Sequence, residues 1–412
     1  MSEFVIVGAG LAGHTAALEI RKLSATARIT LIGDEPELPY DRPPLTKEFL
    51  LGRVAAADVA LCDANGYRSR DIAYRPATKV VRIDRNSRRV LTADGGDIRY
   101  DRLLLATGSR PRRLGAGLDS SAVRYFRTLS DATALRDDLL PGRRIVVIGG
   151  GFVGLEVAAA ASMSGCRVVV VESQKSLLTR GLPALVGETL RRLHEERGVE
   201  FHLGCEVFAV AGEGPVVVET SRGSHAADAV IAGIGVLPNV ELAADAGLEV
   251  DDGIVVDAGC ATSDPAIFAA GEVTSHPLRS GVRRRVESWK VATDQPLVAA
   301  RAMLDMPAAY DAIPWFWSDQ YDFNLQVIGT PQGAAGYLLK GDLGGPGWTL
   351  VALGAAGAPV GGVAMNSGRD VSMLRAAMSR GLALPPLIAG GARPIELGPD
   401  GAVGAPAPSE AL

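Results

Sequence analysis

The chain has 412 residues, 47% of them hydrophobic and 22% charged, with a formal net charge of −5 at pH 7. That length is more than one hydrophobic core organises and predicts two or three domains of a globular protein. The negative charge argues against general nucleic-acid binding, though not against a local basic patch. No apolar run reaches the roughly 18 residues that span a membrane, and no basic segment precedes an apolar one at the start, so a soluble cytoplasmic protein is expected.

Phe4-Val5-Ile6-Val7 reads as a buried strand and runs into Gly8-Ala9-Gly10-Leu11-Ala12-Gly13. The spacing predicts a strand, a tight glycine turn and a helix over about Thr15 to Leu23, the geometry that sets a pyrophosphate on backbone N–H groups. Arg28 to Ile32 reads as the second strand. It ends at Gly33-Asp34-Glu35, where a carboxylate is expected to meet an adenosine ribose, with Asp34 the candidate. The following Pro39-Tyr40-Asp41-Arg42-Pro43-Pro44-Leu45-Thr46-Lys47 is a proline-stiffened loop; its Arg42 and Lys47 place fixed positive charge near a pyrophosphate or an electron-rich ring, or else decorate an ordinary surface loop. Leu103 to Leu105 is a buried strand closing on Ala106-Thr107-Gly108-Ser109, and Ile267 to Ala270 closes on Gly271-Glu272. Small residues at such strand ends let a ligand approach the backbone closely.

A second unit repeats the logic about 140 residues on. Ile145 to Ile148 runs into Gly149-Gly150-Gly151-Phe152-Val153-Gly154, then a helix over about Phe152 to Ser164 with Glu156 in its first turn, then a strand over Arg167 to Val171 ending at Glu172. A carboxylate at Glu172 accepts both ribose hydroxyls of NADH and repels the 2′-phosphate of NADPH, and neither Ser173 nor Gln174 is an arginine that would clamp that phosphate; Lys175 is the nearest cation. Short β-rich runs such as Pro215 to Thr220 predict a meander, and the buried strand and turn through Gly235 are expected close to bound NADH. After Asp257 the pattern of the first unit resumes. The first domain is therefore expected to be discontinuous: 1–112 and 244–312 around a nucleotide-binding insert at 113–243, followed by a small α+β domain over 313–412. In that last domain strands such as Trp348 to Leu353 precede a helix near Ser372 to Arg380 and a Pro/Gly-rich tail.

These segments resemble the FAD-dependent pyridine-nucleotide–disulfide oxidoreductases, and within them the ferredoxin reductases of bacterial oxygenase systems, such as those of biphenyl-type ring-hydroxylating dioxygenases and putidaredoxin reductase. The resemblance runs through nearly the whole chain: GAGLAG, PYDRPPLTKEF, LLLATGSRPR, VVIGGGFVGLEVAA, AGIGVLPN, TSDPAIFAAGE, VESW and PWFWSDQY in order, with PPLTK and PWFWSDQ the branch-specific ones. It implies an α/β chain with two Rossmann-like, glutathione-reductase-like domains and a C-terminal α+β domain. It implies FAD in the first site, with Gly8, Gly10, Gly13, Asp34, Arg42, Lys47, Val80, Arg127, Glu272 and Trp289 as flavin contacts, and Thr107 and Gly108 beside them. It implies NADH on Gly149, Gly151, Gly154, Glu156, Glu172 and Gly235. It also implies a Lys47–Glu156 pair beside the flavin that orders the stack and tunes charge without moving protons, and a Trp317 at the flavin edge or nicotinamide side. Relatives usually have Asp where this chain has Glu272, and often Asn where it has Val291; flavin binding is expected to survive both.

No metal-ligand spacing or nucleophile elbow is present, so the chemistry is expected to come from cofactors. The four cysteines, Cys62, Cys166, Cys205 and Cys260, form no C-x-x-C pair, as in a reduced intracellular protein, and the dithiol relay of thioredoxin-type reductases is excluded. The remaining partner is a one-electron acceptor, which the resemblance makes a [2Fe–2S] ferredoxin feeding an oxygenase. Docking of an acidic ferredoxin is expected on Arg279, Arg283, Arg284 and Arg285, or on Arg369, Arg375 and Arg380, unless these are simply solvated. Rubredoxin reductase, NADH oxidase or peroxide reductase, and a redox-switched flavoprotein of the apoptosis-inducing-factor type are the competing readings. The chain is expected as a monomer or homodimer.

Overall fold

The computed structural model describes residues 2–115, 117–212 and 216–396. Its contacts divide the chain into two compact units, each assembled from separated segments: one from the residues up to Pro44, Val54–Arg110 and Val236–Pro314, the other from Leu45–Arg53, Pro111–Gly235 and the residues from Trp315 onward.

The first unit is built on a parallel five-stranded sheet in the order Ile267–Ala269, Arg102–Leu105, Glu3–Val7, Arg28–Ile32, Ile72–Arg75. Both faces are covered, so the strands read as continuous apolar runs, yet the faces still alternate with the pleat. Phe4, Ile6, Leu31 and Leu104 pack with the Leu11–Leu23 and Trp289–Met303 helices. Val5, Val7, Leu103 and Leu105 pack with Val80, Ile83, Val90 and Tyr100. The last group belongs largely to an antiparallel meander of Val80–Asp84, Arg89–Thr92 and Asp97–Arg99. Small residues on the buried face of the first helix, Ala12, Gly13, Ala16 and Ala17, bring it close to the sheet, and Arg21 and Lys22 in its last turn complement the helix dipole.

The second unit repeats the strand order with Glu200–Leu203, Arg167–Glu172, Arg144–Ile148, Ala229–Ala232 and Val123–Tyr125, all parallel. A meander of Val207–Ala211, Val216–Thr220 and Gly223–Ala227 covers one face through Val210, Val218 and Ala227. The Phe152–Met163 helix covers the other. A six-stranded antiparallel sheet, ordered Trp315–Gln320, Phe323–Gly329, Pro359–Met365, Trp348–Leu353, Gly336–Gly341, Ala392–Ile395, completes the unit with the Gly368–Arg380 helix. Its Phe323, Leu325, Leu350 and Val363 share a core with Leu155, Val186 and Leu190. The Phe152–Met163 helix is thus covered on two sides, which accounts for its nearly unbroken apolar sequence. Pro215 of the expected meander, and the tail beyond 396, lie outside the described residues.

All four cysteines are free thiols. No helix among the described residues is long and apolar enough to cross a membrane, and no group of His, Cys, Asp and Glu among them forms a metal site.

Candidate active site

Two glycine turns of the same construction lead from the central strand of each parallel sheet into a helix. Gly8 and Gly149 adopt φ of +105° and +107°, a region that side chains with a Cβ rarely enter. A Cβ on Gly13 would lie 1.9 Å from the carbonyl oxygen of Gly8, and one on Gly154 would lie 2.2 Å from that of Gly149. The third glycine of each fingerprint therefore lets the helix start directly against the turn. For that reason the first helix begins at Leu11, not Thr15 as expected, and Gly13 lies inside it. Gly10 and Gly151 cap these helices without a side-chain hydrogen bond, and neither first turn carries an acid. A Cβ on Gly10 would meet nothing within 4 Å. Uncapped N–H groups at an open, glycine-lined helix end match what a dinucleotide pyrophosphate needs.

The acids beyond the second strands differ. Glu172 accepts the Gly150 N–H on Oε2 and the Gln174 N–H on Oε1, each at 2.7 Å, which fixes the carboxylate against the glycine turn. By strand register Ile32 stands where Val171 stands, so the counterpart of Glu172 in the first unit is Gly33. A Cβ on Gly33 would lie 2.7 Å from the Ala9 side chain. Asp34 is exposed one residue farther on. The neighbouring Glu35 accepts from Arg42 at 2.6 Å and from Tyr40. Burial works against the Arg42 charge, but Tyr40, Glu35 and Glu272 outweigh it and hold its pKa above the usual value. Arg42 and Glu272 therefore stand in one electrostatic neighbourhood.

Lys47 and Glu156 meet in the second unit: the ammonium is 3.1 Å from Oε1 of the carboxylate, and both side chains are about one-tenth exposed or less, at 11% and 8%. Glu156 lies in the second turn of its helix, not the first, since the helix starts at Phe152. Its position is set by side chains instead of the helix dipole. Thr46 donates to Oε2 and Ser318 donates to Oε1 at 2.6 Å. Neither Thr46 nor Ser318 was singled out from the sequence.

The remaining expected site residues are distributed as follows. Trp289 opens a helix capped by Ser288 and donates its indole N–H to Asp41 at 2.7 Å, tying that helix to the proline loop. Thr107 is latched to Asn239 by two hydrogen bonds of 2.7 and 2.8 Å, and Gly108 has φ +62°. Val80 is buried opposite Thr92. The Arg127 N–H donates to Asp131, just ahead of the Thr128 cap of the Leu129–Asp138 helix. Gly235, with φ +103°, accepts the Arg112 N–H and leaves room for the Arg180 guanidinium. Trp317 stacks on Trp315 at 5.2 Å between ring centres and donates to Asp319 at 2.9 Å.

The first arginine run is partly neutralised. Arg279 pairs with Asp311, Arg285 with Asp252 and Glu287, and Arg283 donates to the carbonyls of Val256 and Ser275. Arg284 is exposed on the Arg283–Arg285 strand.

Comparison with known proteins places this geometry. A pyridine nucleotide-disulphide oxidoreductase domain is matched over residues 2–295 and a reductase C-terminal domain over 315–390. The chain belongs to the pyridine nucleotide-disulphide oxidoreductase family. It is 48% identical over 383 residues to the ferredoxin–NAD(+) reductase component of an anthranilate 1,2-dioxygenase system of Burkholderia cepacia, covering 92% of this chain and 94% of the relative. It is 38% identical over 356 residues to putidaredoxin reductase of Pseudomonas putida, covering 84% of each. Among solved structures, the covalent putidaredoxin reductase–putidaredoxin complex superposes with a TM-score of 0.91 at 34% identity, over 94% of this chain and 95% of the other.

Proposed function

We infer that this chain is a ferredoxin–NAD(+) reductase that passes electrons from NADH through FAD to a [2Fe–2S] ferredoxin serving a ring-hydroxylating dioxygenase or a heme monooxygenase. The observation that carries it is the pair of glycine-led, uncapped helix N-termini, one on each parallel sheet. FAD, when bound, supplies the acceptance of a hydride's two electrons and their release one at a time.

The chain's own residues bind and orient. The Leu11 helix end receives the flavin dinucleotide and the Phe152 helix end the nicotinamide dinucleotide. Arg42, Glu272, Trp289, Thr107, Gly108, Val80 and Arg127 form the flavin surroundings. Glu172, held by two backbone N–H groups, presents its remaining lone pairs to the ribose hydroxyls and disfavours a 2′-phosphate. The Lys47–Glu156 pair orders the nicotinamide against the flavin and sets the charge there. Trp317 shapes the exit for electrons. The ferredoxin docks against the exposed arginines, foremost Arg284 and Arg279.

The test is NADH-driven cytochrome c reduction by the purified protein with and without a bacterial [2Fe–2S] ferredoxin. Strong stimulation by ferredoxin is expected. Flavin reduction by NADH with no acceleration by [2Fe–2S] ferredoxins, or with rubredoxin or oxygen accelerating turnover in their place, would overturn the reading.

A further inference from the structure

Glu156 is also reached from the protein interior by a line of hydrogen bonds that the reaction outlined above does not use. The Tyr321 hydroxyl lies 3.0 Å from Nδ1 of His194, and Nε2 of His194 lies 2.6 Å from Oε1 of Gln320. The Gln320 amide nitrogen donates to Oγ of Ser318 at 2.9 Å, and Ser318 donates to Glu156 at 2.6 Å. His194, Gln320 and Ser318 are buried, at 0%, 2% and 0% exposure. The partners admit one direction in the neutral line. A carboxylate only accepts, so Ser318 gives it its single proton. The amide nitrogen only donates, so the amide oxygen faces His194 and takes the proton of Nε2. Nδ1 is left as an acceptor for Tyr321.

Packing does not require these polar groups. On the Trp315–Gln320 strand the residues with Phe316's parity are Ser318 and Gln320, and Phe316 itself makes an edge contact with Phe152 at 4.9 Å. Apolar side chains at 318 and 320 would fill the same face. Buried polar groups cost stability unless every member is satisfied, and here each is satisfied in series with the last acceptor at Glu156.

We propose that Ser318 and Gln320, oriented by His194, are positioning residues that fix the Glu156 carboxylate and, through its ion pair, the Lys47 ammonium for hydride transfer. This rests on the reading that the Lys47–Glu156 pair serves that step. With Oε2 held by Thr46 and Oε1 shared by Ser318 and Lys47, the carboxylate is confined to one rotamer and the ammonium to one place, so the local charge does not reorganise as hydride moves.

The substitution Gln320→Glu tests the direction of the line at nearly constant shape. The introduced carboxyl faces His194 and Tyr321 on one side and, through Ser318, Glu156 and Lys47 on the other; Arg197, paired with Asp322, stacks on the Tyr321 ring. While protonated, the new carboxyl donates to Ser318 as the amide does. Once ionised it accepts from Ser318, and Glu156 loses its donor. Stopped-flow reduction of the bound flavin by NADH is expected near the parent rate at low pH and to fall by roughly tenfold to a hundredfold as the carboxyl ionises, a step the parent lacks. A profile superimposable on the parent's overturns the proposal. Glu156→Gln runs alongside. If it slows flavin reduction while the Gln320→Glu profile stays flat, the positioning role fails; if it leaves flavin reduction unchanged, the reading of the ion pair fails. A readout free of turnover is 15N NMR of the histidines in the unsubstituted protein. His194 is expected as the Nε2–H tautomer, and the Nδ1–H tautomer would reverse the line and overturn the proposal even if Gln320→Glu does not fold.

Discussion

Glu172 and Glu156 are both helix- or strand-borne acids near a glycine turn, and their partners give them different work. Glu172 meets backbone N–H groups, so it keeps its place whether or not a ribose is present. Replacing it with alanine strips two N–H groups of their acceptor and removes the charge that opposes a 2′-phosphate. For Glu172→Ala, kcat/KM for NADH is expected to fall roughly tenfold to a hundredfold while that for NADPH falls less, so the preference narrows. Comparable kcat/KM values for the two coenzymes in the unsubstituted protein would remove the assignment. Glu156 meets side chains contributed from distant parts of the sequence, and no single motif announces that. The family resemblance pointed to Lys47 and Glu156 as partners. Thr46 was missed because a Thr in a proline loop looks like any other until the fold brings it within reach.

At the level of elements, the two strand–turn–helix units were legible because steric necessity writes them into sequence: three glycines at fixed spacing after an apolar strand admit few other structures. The helix start was less legible in the first unit, where Gly13 reads as part of the turn until the 1.9 Å approach of its Cβ to Gly8 explains its place, whereas the second helix starts at Phe152 as expected. The same geometry separates the two sites by experiment. Gly13→Ala is expected to lower the flavin content of the purified protein, whereas Gly154→Ala is expected to keep flavin and raise the KM for NADH by roughly tenfold or more. Equal effects of the two substitutions on flavin content would mean that the sites are not divided this way. The inward Ser318 and Gln320 had a sequence signal that went unread. In Trp315-Phe316-Trp317-Ser318-Asp319-Gln320 a strand period of two puts both on Phe316's side, polar residues where a core-facing strand should be apolar. The arginine hairpin teaches the converse lesson, because composition alone does not reveal that Arg283 serves backbone carbonyls and Arg285 two carboxylates. Reversing Arg279 and Arg284, which are exposed, is expected to slow ferredoxin reduction severalfold and flatten its salt dependence, with flavin reduction by NADH unchanged. An unchanged ferredoxin rate at low salt would move docking elsewhere.

Across the whole molecule, three histidines are buried in neutral form. Burial is the leading cause that lowers His14, His194 and His276 each to about 4. Below the unfolded value of 6.5 the unfolded chain takes up protons that these rings refuse, so stability falls as pH drops from about 6.5 to about 4 and the histidine contribution levels off beneath that, at roughly 3 kcal/mol per ring. Carboxylates act later: Asp228, held at about 2 chiefly by the Arg144 guanidinium, contributes a loss only as pH falls below 3.8. Urea unfolding midpoints measured between about pH 7 and pH 4.5 are expected to fall steadily, and a flat profile over that window would contradict the burial of the three rings. The discontinuity of both units has a consequence for how the chain is made. Leu103 to Leu105 pair with Ile267 to Ala269, and the Leu11–Leu23 helix packs on one that begins at Trp289. Leu155 and Leu190 share their core with strands from Phe323 onward. A ribosome that has released the first two hundred residues has therefore delivered neither unit whole. Nascent chains hold open sheet edges and uncovered helix faces until the last third emerges; the first unit is expected to close once the residues up to Pro314 are out, and the second only when the strands from Trp315 onward follow, with chaperones covering the interval.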